Sequence, residues 1–183
     1  MRRLFSQKKW GMVVVVGIIA STGAIALYTA KHGFGHSSTS HSMPTEQETA
    51  ASIVSIAKTS TITVYRSPSC GCCGGWIDHM EAQGFRVDDQ LTDDLDSIKR
   101  NQGVPEQLAS CHTSVVNGYV IEGHVPVADV QRLLIEQPNI AGIAVPGMPL
   151  GTPGMEAGDI QEPFSVFSFK SDGAFEVFQD YSS

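Results

Sequence analysis

The chain has 183 residues, four cysteines and a formal net charge of −7. Five of its twelve Lys and Arg lie at or before Lys31, so the remainder carries seven basic and nineteen acidic residues, a net of −12, which argues against nucleic acid as a partner. Residues 60–183 are enough for one compact domain with one core and too few for two ordinary ones.

Arg2, Arg3, Lys8 and Lys9 precede an uncharged run from Gly11 to Ala30. As a helix, such a run just spans a hydrocarbon core of about 30 Å, with the basic flank on the inside. Residues 1–30 therefore predict either a signal anchor held in the inner membrane or a leader cleaved near Ala24-Ile25-Ala26. Both place the remainder in the periplasm or on the outer side of the cytoplasmic membrane. Residues 31–59, with Gly33, Gly35, a Ser/Thr cluster and Pro44, predict a flexible tether; a short helix over Glu48 to Lys58 can close it. His32, His36, His41 and Met43 read there as solvated linker residues, with transient metal capture as the alternative.

Thr61 to Tyr65 is β-branched and runs into a loop at Pro68, predicting a strand. Cys70-Gly71-Cys72-Cys73 follows, and Cys73, Trp76, Ile77 and Met80 recur at helical spacing up to Gly84. Phe85 to Leu91 predicts a second strand. Thr92 as N-cap, Asp93 and Asp94 in the first turn and Lys99-Arg100 at the end predict a second helix. Asn117-Gly118 between two apolar runs is a strong hairpin signal. Pro126 opens a helix carrying Val127, Val130, Leu133 and Leu134 on one face. The order βαβαββα resembles a thioredoxin-like mixed sheet in an α/β fold. Phe164–Phe169 and Ala174–Phe178 add a C-terminal hairpin with no clean solvent face.

In this plan Cys70, Cys72 and Cys73 stand where the first strand meets its helix, a common ligand position in open α/β folds, and Cys111 and His112 approach them from a neighbouring strand. A helix N-terminus favours thiolates, which are both nucleophiles and soft ligands. Three readings stay open. Four exported cysteines can make structural disulfides, although adjacent Cys72 and Cys73 constrain that geometry. Cys70 and Cys73 have the C-x-x-C spacing of a redox pair. Cys70, Cys72, Cys73, Cys111 and His112 form a richer ligand set than a dithiol enzyme needs. Met148 and Met155, repeated in two Pro-Gly-Met units, either seal the core and contact the final hairpin or add thioethers that copper(I) accepts and from which a zinc site gains little. Copper(I) is thus the expected ion, with zinc or no metal as alternatives. His124 either completes the site or supports the ligands from behind, the second being preferred, and His79 reads as a surface or packing histidine.

Ser69-Cys70-Gly71-Cys72-Cys73, Ser110-Cys111-His112-Thr113, Glu122-Gly123-His124-Val125-Pro126, Leu133-Leu134, Pro146-Gly147-Met148-Pro149 and Gly154-Met155-Glu156 together resemble a bacterial family of small exported proteins of unknown function, DUF411-like and thioredoxin-like in fold. The resemblance covers roughly Thr61 to Phe178. It implies copper handling or resistance in the cell envelope and does not supply a reaction; an envelope copper-handling protein is a possible partner to which ligand exchange passes the ion.

Overall fold

The computed structural model describes residues 46–182. The first described element is helix α1 (Glu46–Thr59). It occupies the end of the predicted tether, packs against α4 (Val127–Glu136) and buries Ala57. In β1 (Thr61–Arg66), Ile62 and Val64 alternate inward and are fully buried, as a half-buried strand requires. Helix α2 (Gly71–Ala82) begins at Cys70, the N-cap, and buries Cys73, Trp76, Ile77 and Met80. These recur every three or four residues along one face. Gly84 at φ +90° then lets the chain reverse into β2 (Arg86–Leu91), a conformation costly for any side chain. β2 pairs parallel with β1 and forms one edge of the sheet, where its Arg and Asp residues discourage further pairing.

Helix α3 (Leu95–Asn101) is capped by Asp94, whose carboxylate accepts from the Ser97 N–H at 3.2 Å. The cap therefore sits two residues beyond Thr92, whose hydroxyl accepts from the Asp94 N–H instead. A 3-10 turn (Glu106–Leu108) leads into β3 (His112–Val116), which runs antiparallel to β1 with Arg66 opposite His112. Asn117 and Gly118, at φ +48° and +85°, turn the chain into β4 (Tyr119–Glu122). Two positive φ values in succession are the signature of the predicted tight hairpin.

After α4, the short strand β5 (Gly142–Ala144) pairs parallel with β4 and antiparallel with β6 (Ser165–Phe169). β7 (Phe175–Asp180) closes the far edge, giving one seven-stranded sheet in the order β2-β1-β3-β4-β5-β6-β7. The thioredoxin-like mixed sheet is thus present, with the C-terminal hairpin welded on through β5. A register shift between Val166 and Phe167 in the β6–β7 pairing accounts for the missing alternation there, because a bulge moves succeeding side chains to the other face. The main core joins Ile62, Val64, Trp76, Met80, Ile121, Val130, Leu133 and Ile143; a second cluster of Leu108, Val120, Ala144 and Phe169 lies apart from it.

One expectation is corrected. Among the described residues no helix is long and apolar enough to cross a membrane, so the membrane and signal-anchor assignment receives no spanning element. The run Gly11 to Ala30, on which that expectation rested, lies outside the described residues, as do His32, His36, His41 and Met43.

Candidate metal centre

The site lies where β1 ends, α2 begins and β3 starts. Cys70, in extended conformation at φ −81° and ψ 90°, is the last residue before the helix, and Cys72 and Cys73 occupy its first turn. Free backbone N–H groups and the helix dipole there favour negative sulfur. The pairing of β3 beside β1 carries Cys111 and His112 to the same end of the sheet, as the sequence implied. Gly123, at φ +73°, bends the chain directly after β4 and brings in His124. A Cβ on Gly123 would collide with the Ser110 side chain.

Cys70 and Cys73 are joined by a disulfide with Cα atoms 5.4 Å apart, and Cys72 and Cys111 are free thiols. Cys72 Sγ lies 3.6 Å from Cys70 Sγ, and Cys111 Sγ 3.6 Å from Cys73 Sγ. On its other side Cys111 Sγ meets His124 Nε2 at 2.9 Å and His112 Nδ1 at 3.3 Å. Two donor groups result: Cys70, Cys72, Cys73 and Cys111, and Cys111, His112 and His124, with ligand atoms in each lying within 4.8 Å of one another. Cys111 belongs to both.

The histidines are prepared as ligands. His124 Nδ1 donates to the Pro153 carbonyl at 2.8 Å, since a carbonyl only accepts; Nε2 is therefore left with its lone pair, facing Cys111. This carbonyl does what an outer-shell partner does for a metal-bound imidazole, fixing tautomer and ring angle. Burial lowers the pKa of His124, and burial together with the neighbouring His124 holds His112 well below the ordinary histidine value. Both rings stay neutral. His112 packs between Trp76 and His124, with ring centroids 4.8 and 5.1 Å away. Its Nε2 is buried with no hydrogen-bond partner among the described residues. Nδ1 is the nitrogen turned to Cys111, so two imidazoles and four sulfurs supply a donor chemistry that fits a soft metal ion. Burial first, then the charge of Cys72, pushes the Cys111 thiol up to about 12; a metal bound there displaces a proton.

The methionine loop is clasped to α2. Gly154, at φ +82°, lies so close that a Cβ on it would stand 2.5 Å from both the Cys72 carbonyl oxygen and the Trp76 nitrogen. Glu156 accepts from the Gly154 N–H at 3.0 Å and pairs with His79 at 2.7 Å. Met155 is half-buried in this loop. Met148 is 52% exposed, beside Gly147, which pairs with Ser110 one residue before Cys111. The structure thus gathers Cys70, Cys72, Cys73, Cys111 and His112, brings His124 beside Cys111, and leaves Met148 at the surface. Composition and spacing gave no sign of the Pro153 carbonyl or of the His79–Glu156 clasp, since both join residues far apart in the chain.

The profile of the family described as "Protein of unknown function, DUF411" matches residues 108–155, a span that holds Cys111, His112, His124 and both methionines. Two solved structures, forms 1 and 2 of a protein titled copper resistance protein copG, are each 45% identical to the chain; the match covers 67% of this chain and 98% of theirs, with a TM-score of 0.64. None of the curated proteins compared with the chain matches it. The chain belongs to the DUF411 family and is a homologue of the copper resistance protein copG.

Proposed function

We propose that the protein captures copper(I) in the cell envelope and passes it to an envelope partner, in copper handling or resistance. The observation that carries this reading is the meeting of two donor groups at Cys111. With the disulfide reduced, four thiols and two neutral imidazoles face one small volume, and a thiolate shared by both groups can serve more than one ion. Soft sulfur donors select copper(I) over harder ions. An exposed thioether at Met148, beside the Ser110–Cys111 turn, favours copper(I) over zinc and offers a first contact for ligand exchange, with Met155 further along the loop. The likeness to a protein titled copper resistance protein supports copper as the metal. The basic residues before the uncharged run Gly11 to Ala30 support the envelope.

Anaerobic copper(I) titration of the reduced protein, against a Cys72→Ala/Cys73→Ala variant, tests the centre. The variant should lose most of its affinity; undiminished binding would sink the proposal.

A second reading is favoured by one observation, the Cys70–Cys73 disulfide across the first turn of α2: a thiol–disulfide oxidoreductase in which one of these sulfurs forms a mixed disulfide with a substrate thiol and the other resolves it. Disulfide reduction by metal-free protein, abolished in Cys70→Ser, would favour it. Inactivity between the potentials of glutathione and dithiothreitol would count against it.

A further inference from the structure

On the sheet face opposite His112 lies a second set of polar groups that the proposed function does not use. Neighbouring residues of a strand point to opposite faces, so Thr113 and its cross-strand partner Glu122 face α3 while His112 faces α2. Glu122 is fully buried. Its carboxylate accepts from Lys99 Nζ at 2.5 Å, from the Ser110 N–H at 2.6 Å and from Thr113 Oγ1 at 2.7 Å, and Lys99 also donates to Thr113 Oγ1 at 3.1 Å.

A buried ion pair is weak ground for stability, because desolvating two charges cancels most of their attraction, and apolar residues of similar volume often do as well. What an apolar pair cannot do is accept a hydrogen bond from a chosen direction. Here the carboxylate grips the N–H of Ser110, the residue just before Cys111. The Ser110 hydroxyl in turn donates to the Gly147 carbonyl, and the Gly147 N–H to Ala109 at 3.2 Å. The backbone leading into Cys111 is thus tied from behind the sheet and from the methionine loop. We infer that Glu122, itself held by Lys99, is a positioning residue that fixes the Ser110–Cys111 turn and so sets Cys111 Sγ at the point shared by the two donor groups. The inference rests on the copper-binding reading above; neither Glu122 nor Lys99 touches the ion.

The test compares wild type with a Lys99→Met/Glu122→Leu double variant, which removes both charges together, and with Glu122→Gln, which keeps an acceptor for the Ser110 N–H. Chelator competition reads copper(I) affinity, and the ultraviolet sulfur-to-copper band reads ligand geometry. The double variant should bind about 10- to 100-fold more weakly, as removal of outer-shell partners does, with a shifted band and an apo-protein that still melts cooperatively. Glu122→Gln should restore the wild-type band. A folded double variant with wild-type affinity and band overturns the inference. Amide exchange in the apo wild type is an independent reading that needs no variant and no metal: the Ser110 N–H should be protected as well as the amides of β3, and exchange at open-loop rates overturns the positioning role. Failure of wild type to bind copper(I) would strike the parent reading, whereas binding by wild type with no loss in the double variant strikes only this one.

Discussion

The Cys70–Cys73 disulfide is expected to gate the all-cysteine half of the proposed centre. Two of the four cysteines, Cys70 and Cys73, are bonded to each other, and Cys72 and Cys111 alone remain as thiols. Oxidised protein therefore offers half of the sulfur set, and the all-cysteine group cannot close around an ion. If copper(I) binds the reduced form and not the disulfide, binding stabilises the dithiol by about 4.1 kcal/mol when free copper(I) is about 1,000 times the Kd. For a two-electron couple, with about 30 mV for each 1.4 kcal/mol, the midpoint of the Cys70–Cys73 pair should rise by about 90 mV. The assay is a redox titration under nitrogen, with and without copper(I) held at fixed free concentration by a chelator, followed by alkylation of thiols and mass measurement. A midpoint that does not move with copper(I), or equal copper(I) stoichiometry in oxidised and reduced protein, would refute the reasoning.

Gly154→Ala should cost about 2 kcal/mol or more, read from the denaturant midpoint, because its φ of +82° disfavours a side chain and the new methyl meets the Cys72 carbonyl and the Trp76 nitrogen. Lifting the loop also withdraws the Pro153 carbonyl from His124, so copper(I) affinity should fall with it. Met148→Leu should leave stability within about 0.5 kcal/mol, since the side chain is exposed. The same change should slow copper(I) uptake from a chelator in stopped-flow; unchanged uptake would remove Met148 from the site. Tyr181, whose hydroxyl donates to Asp129 at 2.8 Å, is pushed up to about 12 by burial and then by that carboxylate. Its folded value exceeds the unfolded value of about 10, so its contribution is complete below pH 10 and is lost as pH rises toward 12. After allowance for solvent screening this amounts to about 1 kcal/mol, and Tyr181→Phe should flatten that part of the stability profile.

Local chemistry was legible in the sequence, and long-range chemistry was not. The strand into Pro68, the helix from Cys70 to Gly84 and the Asn117-Gly118 turn are written in adjacent residues, and each stands where expected. The α3 cap shifted from Thr92 to Asp94 because two candidate oxygens two residues apart compete, and only Asp94 reaches Ser97. β5 carried no local signal. It is three residues long and begins at Gly142, where a Cβ would collide with the Val120 backbone; its strand character comes from β4 and β6 on either side. The cysteine spacing announced the sulfur half of the site. The imidazole half depends on a positive φ at Gly123 and a carbonyl from Pro153, which set His124 against Cys111 and are not visible in the spacing. Lys99 and Glu122, 23 residues apart, carry no local sign of pairing; packing α3 against β3 brings them together.

The arrangement of the sulfurs also separates the two chemistries that share them. Thiol–disulfide exchange needs the incoming sulfur on the axis of the bond it breaks, opposite the leaving sulfur. A thiol on that axis and 3.6 Å from the near sulfur would stand about 5.6 Å from the far one, given an ordinary disulfide bond of about 2.0 Å. Cys111 and Cys72 are each 3.6 Å from one sulfur of the Cys70–Cys73 bond, yet all four sulfurs lie within 4.8 Å of one another. Both free thiols therefore lie beside the bond rather than behind it. That position is poor for an internal relay and good for clustering around an ion once the bond is reduced. Exchange with an outside thiol at Cys70, which is only partly buried, escapes this restriction. Oxidoreductase chemistry here thus requires a substrate that approaches from solvent, whereas copper(I) capture uses the sulfurs where they already stand.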